Sequence, residues 1–182
     1  MKNTRVNFAI ALYFLVAWAT IAKMDKETLS SPIKVQPRQS GKLDAFLLLR
    51  NTQSGYVLQA DDYYVVLGDN AKIPKQKWAP EYLHHGKCKI VNQGNGKYLD
   101  IEQNATVGSR LITSTPFRDE DNLQLWHIGF EGQIVNSQVG LAATVALPNN
   151  SRFAYKTGLP IVGQYYYGVR WQQWGIEFVD YY

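Results

Sequence analysis

A Gln-x-Trp triplet occurs three times in this 182-residue chain, as Gln76-Lys77-Trp78, Gln124-Leu125-Trp126 and Gln172-Gln173-Trp174, at an even spacing of 48 residues. An internal repeat constrains a fold more than any local propensity, because each unit must bury its apolar face against its neighbours. The flanks repeat as well. Trp126, Ile128 and Phe130 stand at i, i+2 and i+4, as do Trp174, Ile176 and Phe178, and in a strand that spacing turns all three side chains to one face. The first copy keeps the period more loosely, with Trp78, Pro80 and Tyr82.

Upstream of each triplet a second pattern recurs. Leu49-Arg50-Asn51 leads to Gly55-Tyr56-Val57-Leu58, Ile90-Val91-Asn92 to Gly96-Lys97-Tyr98-Leu99, and Ile134-Val135-Asn136 to Gly140-Leu141-Ala142-Ala143. A short apolar run, a polar turn with glycine and a second apolar run are hairpin punctuation. No useful 3.6-residue apolar period follows residue 43, which excludes a helical domain. Three all-β units of about 45 residues fit a closed threefold structure, since closure hides sheet edges. In such a structure the tryptophans bury their rings where the repeats meet. The glutamine amides satisfy backbone groups where the chain turns a corner.

The N-terminus is a separate compositional block. Lys2 and Arg5 precede an uncharged, mostly apolar run from Phe8 to Ala22, closed by Lys23. That run is short for a bilayer span, and its small residues Ala17, Ala19, Thr20 and Ala22 suit a secretory signal peptide over residues 1–22, an uncleaved anchor being the alternative. Removing it lowers the formal charge from +4 to +2, too little to point to nucleic acid or an anionic membrane as partner. Residues 23–43 mix charge, Ser, Pro and Gln and read as a flexible leader. The folded domain is expected over 44–182, in repeats of about 44–85, 86–130 and 131–182. The single cysteine, Cys88, cannot form an intrachain disulfide. Its alternating surroundings predict a buried thiol.

With their spacing and flanks, the three triplets resemble those of the ricin B-type lectins, and the resemblance covers roughly residues 44–182. It implies a β-trefoil and a carbohydrate-binding module; with the signal-peptide helix read from the N-terminus, the expectation is a secreted, extracellular protein that is not an enzyme and needs no cofactor. In that family a sugar site combines an Asp after the second strand, an aromatic platform on the third and an Asn just before the Gln. A carboxylate accepts bonds from hydroxyls while a flat ring packs on the C–H face of the sugar. Here only the second repeat has the Asp, at Asp100; Gln59 and Thr144 stand in the other two. The residues before the Gln are Lys75, Leu123 and Trp171, with Asn122 one position early. Asp100, Phe117 and Asn122 are therefore the expected carbohydrate-binding set. If Asp100 is not a ligand residue, it is a strand-end carboxylate accepting backbone N–H groups. Tyr165, Tyr166 and Tyr167 offer an aromatic surface in the third repeat, of which alternation predicts at least one buried in the core.

Other constellations carry less chemistry. His84, His85 and Cys88 lack a fourth ligand and read as a linker between repeats, not a metal site. Asp119-Glu120-Asp121 reads as a solvated acidic loop, since glycosidase carboxylates need a defined separation across a cleft. No nucleophile elbow, phosphate loop or metalloprotease helix occurs. Asn104-Ala105-Thr106 and Asn149-Asn150-Ser151 are glycosylation sequons. The expected partners are glycans or glycoproteins, or an extracellular protein if the sugar sites have decayed, with no nucleic acid and no stable membrane insertion after signal cleavage.

Overall fold

A computed structural model describes residues 46–116, 123–148 and 155–179. The expected signal peptide and leader lie outside these residues. The described residues are all-β, with short 3-10 turns as their helical pieces. Twelve strands follow in chain order: β1 (Phe46–Asn51), β2 (Val57–Asp61), β3 (Tyr64–Gly68), β4 (Trp78–Tyr82), β5 (Cys88–Asn92), β6 (Tyr98–Ile101), β7 (Leu111–Ser114), β8 (Trp126–Ile128), β9 (Ile134–Asn136), β10 (Ala142–Val145), β11 (Ile161–Gln164) and β12 (Trp174–Val179).

Six of them close into a barrel. β1 pairs with β12 along its length and with β4 at Leu47–Trp78. β4 pairs with β5, β5 with β8 at Cys88–Trp126, and β8 with β9. The Trp174 N–H donates to the Gly132 carbonyl, which closes the last gap between β12 and the start of β9. The hairpins β2–β3, β6–β7 and β10–β11 are joined to one another through three single bridges, Tyr64–Ile112, Arg110–Val162 and Val66–Pro160. Registers within the hairpins pair Gln59 with Val66, Asp100 with Ile112 and Thr144 with Val162. The three bridges therefore use equivalent positions.

The core follows from the sequence pattern. Trp78, Trp126 and Trp174 are fully buried, and each indole N–H donates to a strand carbonyl, of Leu58, Leu99 and Ala143 respectively. Leu49, Ile90 and Ile134 pack in the same cluster. Burial of such a ring is worth about 3–5 kcal/mol on truncation to alanine. Beyond the tryptophans the shared face runs out of the core. Ile128 is half-buried, whereas Phe130 at the β8–β9 turn is 94% exposed and Phe178 is 67% exposed.

Three buried asparagines tie successive units together. The Oδ1 atoms of Asn51, Asn92 and Asn136 each accept the backbone N–H groups two and three residues on, which shapes the turn before the next strand. Their Nδ2 groups reach back across the fold: Asn92 donates to the Lys75 and Lys77 carbonyls, Asn136 to Leu123, and Asn51 to Arg170 and Gln173. The same turns end at Gly55, Gly96 and Gly140 with φ of +77°, +66° and +71°, a region that costs other L-residues about 1–2 kcal/mol.

Candidate functional site

A side chain of the second strand, the end of the third strand and the Gln of the triplet meet at one corner in each unit. In the first, Gln76 Nε2 donates to the Asp69 carbonyl at 2.5 Å and to Gln59 Oε1 at 2.9 Å. In the second, Gln124 Nε2 donates to the Thr115 carbonyl at 2.7 Å and to Ser114 Oγ at 2.6 Å, with Asp100 Oδ2 at 3.5 Å. In the third, Gln172 Nε2 donates to the Tyr165 carbonyl at 2.6 Å and to Thr144 Oγ1 at 3.1 Å. The glutamine thus holds the chain where it leaves the third strand, the role its buried amide requires.

What differs is the side chain set beside it. In the first corner the long Gln59 folds over Gly68, where an added Cβ would lie 2.3 Å from Gln59 Oε1. In the second, Asp100 is 5% exposed. Its Oδ2 accepts from Ser114 Oγ, and its Oδ1 accepts from the Ile101 N–H at 2.7 Å. The carboxylate is thus held by its own hairpin, near the end of β6, and accepts a backbone N–H as a structural strand-end carboxylate does. Phe117 and Asn122, the other two members of the expected set, lie outside the described residues, as does Asp119-Glu120-Asp121.

The third corner is open. Thr144 is short, and a pocket of about 760 Å³ lies beside it. Among the described residues Thr144, Val162, Gln164, Tyr167, Trp171 and Gln172 line it. Gln172 is spent on framing it, since its Oε1 accepts the Tyr167 N–H at 2.8 Å. Gln164, Tyr167 and Trp171 complete the lining, and Trp171 also packs against the hydrophobic core. Aromatic walls with a few convergent polar groups are the usual make-up of a small-molecule site. Trp171 sits directly before the triplet, where the lectin pattern has an Asn.

The tyrosine run departs from the alternation expected of it. β11 ends at Gln164, so Tyr165, Tyr166 and Tyr167 are not strand residues and none enters the core. Tyr165 and Tyr167 are exposed, and half-buried Tyr166 donates its hydroxyl to Glu131 at 2.9 Å. Burial and the Glu131 carboxylate both raise its pKa. Cys88 is buried as expected, its Sγ donating to the Trp126 carbonyl at 3.5 Å, and burial pushes the thiol up to about 12. His85 occupies a left-handed turn between β4 and β5.

Residues 74–154 match the family of ricin-type beta-trefoil lectin domain-like proteins. No curated protein matches the chain in sequence. Among solved structures, the chain is similar to the designed threefold-symmetric protein ThreeFoil, with 24% identity, TM-score 0.64, 75% of this chain and 99% of that one covered. An exo-β-1,3-galactanase from Clostridium thermocellum gives 23% identity and TM-score 0.65 over 75% of this chain but only 30% of that enzyme. A ricin B-like lectin from Macrolepiota procera, solved in complex with lactose, gives 16% identity and TM-score 0.56 over 72% of this chain and 94% of that one. In its triplets, its trefoil strand order and its match over residues 74–154, the chain resembles the ricin B-type lectins.

Proposed function

We propose that this protein is a secreted, non-catalytic carbohydrate-binding module that recognises extracellular or cell-surface glycans. The observation that carries the reading is the open third corner, where Tyr167 and Trp171 stand beside the Gln164 amide in a pocket of about 760 Å³. The second corner is the other proposed sugar site, with Asp100 joined by Phe117 and Asn122. Two such sites raise affinity by multivalent engagement even when each is shallow. The segment 1–22 supports secretion as a signal peptide.

A glycan array tests this directly. The folded protein is expected to bind at least one class of immobilised glycan. Trp171→Ala, Asp100→Ala or the two together should lower that binding by about tenfold or more, the loss of one good stacking or hydrogen-bonding contact. An array without signal from folded protein would sink the reading.

A second reading, a trefoil whose sugar sites have decayed and which binds an extracellular protein, draws on a different surface. Tyr82, Phe130 and Phe178, each four residues past a triplet tryptophan, are all exposed. Capture of a protein from extracellular extracts that survives excess free sugar, and that Phe130→Ser with Phe178→Ser abolishes, would favour it. Capture that free sugar displaces would return the case to glycans.

A further inference from the structure

The register across three strands brings together residues that no local motif connects. Asp100 pairs with Ile112 across β6–β7, and Ile112 pairs with Tyr64 across β7–β3. Side chains of paired residues share a face, and so do residues two apart on one strand. Asp100, Ile112 and Tyr64 therefore form one row. Arg110, two residues before Ile112, stands on the same face in the next row, a diagonal of about 7–8 Å from Asp100.

Arg110 is fixed in an unusual environment. Its guanidinium carbon lies 3.5 Å from the centroid of the Tyr64 ring. Tyr63 meets Tyr64 edge-on, with centroids 5.0 Å apart and planes at 75°. The hairpin that carries both rings is tied to the second unit. The Thr113 N–H donates to the Tyr63 carbonyl at 2.7 Å, Thr113 Oγ1 donates to the Asp62 carbonyl at 3.0 Å, and Asn95 Nδ2 donates to Thr113 Oγ1 at 3.2 Å. Arg110 is half-buried. Arg110 Nε is buried and meets no acceptor, and no ion pair involves Arg110 among the described residues. Glu102, just past the end of β6, accepts the Arg110 backbone N–H at its Oε2 at 3.0 Å. A buried Nε–H without an acceptor is a donor left open to an arriving anion. The planar fork suits a carboxylate or sulfate.

We infer that Arg110, laid on Tyr64, is an anion-recognition subsite beside Asp100 that selects glycans bearing a carboxylate or a sulfate. This rests on the carbohydrate reading and gives it a substrate class. The positions equivalent to Arg110 in the other two units are Tyr64 and Pro160, so the selectivity belongs to the second unit alone. A sugar seated at the second corner would present its acidic group to the guanidinium. The ring pair holds that guanidinium in place, so little side-chain freedom is lost on binding.

The experiment uses the full chain on an array in which each neutral oligosaccharide stands beside its sialylated and its sulfated form, so that the two anion sources are read separately. Wild type should favour one or both acidic forms by about tenfold or more, the effect of a charged hydrogen bond. Arg110→Gln should erase that preference while leaving neutral binding in place, and Arg110→Lys should keep only part of it. Equal binding of neutral and acidic forms by wild type would overturn the inference and leave the carbohydrate reading standing. So would an equal loss of both forms in folded Arg110→Gln. Should no glycan bind at all, the carbohydrate reading fails, and sodium sulfate titrated against sodium chloride at constant ionic strength decides the subsite. A saturable shift of the Arg110 guanidinium resonance in wild type, absent with chloride, supports it; no shift overturns it. This last measurement needs no variant to fold.

Discussion

The first and third corners of the trefoil share a frame and differ in what they leave open. Both use a buried Gln whose Nε2 donates to the carbonyl just past the third strand and to a side chain of the second. In the first corner that second partner is Gln59, which lies over Gly68 and fills the space. In the third it is Thr144, opposite a β11 strand that ends in Gln164, and a pocket remains. The difference teaches that the Gln-x-Trp frame holds the corner whether or not anything can bind there. Two positions, one on each hairpin strand, decide whether a corner is plugged or keeps a pocket.

The broadest way to break the comparison is to remove the frame itself. Trp78 and Trp174 are both fully buried, and each donates its indole N–H to a second-strand carbonyl. Trp78→Ala and Trp174→Ala should each cost about 3–5 kcal/mol and agree with one another within about 1 kcal/mol. Urea-unfolding midpoints of the two variants check this. A cost in one unit only would mean that the two corners are not equivalent supports.

A smaller effect tests the plug. An alanine Cβ at Gly68 would sit 2.3 Å from Gln59 Oε1 and 2.8 Å from Gln76 Nε2, so both side chains must move and their buried hydrogen bonds must be remade. Gly68→Ala is expected to cost about 1–3 kcal/mol, the range for leaving a buried amide group unpaired. Gln164→Ala, at the matching position of the open corner, should change stability by less than about 0.5 kcal/mol. Thermal unfolding of the two variants side by side gives the contrast. Equal costs would show that the third corner is as tightly filled as the first.

The frame was legible in the sequence because its parts are local and recur. The triplets, the i, i+2, i+4 faces and the Asn-to-Gly turns announce themselves at fixed spacing, and the buried tryptophans and the turn asparagines follow from them. The sites were less legible, for a physical reason. Asp100 could be placed on its strand, but its burial depends on Ser114, 14 residues away across a hairpin whose register no local residue declares. Thr144 read as a missing Asp, when its small volume is what opens the third corner. The Tyr165–Tyr167 run invited an alternation argument that fails because β11 stops at Gln164. The Arg110–Tyr64 contact joins two units, and nothing near either residue signals it.

The sharpest form of the comparison is a transplant. Copying Gln59 alone into the third corner would fail, because a Gln at 144 would meet the Cβ of Gln164 where the first corner has only the Gly68 backbone. Thr144→Gln combined with Gln164→Gly reproduces the first corner's pair on the same frame. The new amide takes over the bond that Thr144 Oγ1 now accepts from Gln172 Nε2. Since the side chain enters an existing pocket and not a packed core, the stability change should stay below about 1 kcal/mol, less than ordinary overpacking costs. Glycan binding at the third corner should nevertheless be lost, while any binding that Asp100→Ala removes is retained. The measurement is a pair of array profiles, double variant against wild type, with unfolding midpoints recorded for both. Unchanged binding by a stably folded double variant would mean that the pocket beside Trp171 is not where the ligand sits, and would move the site to Asp100.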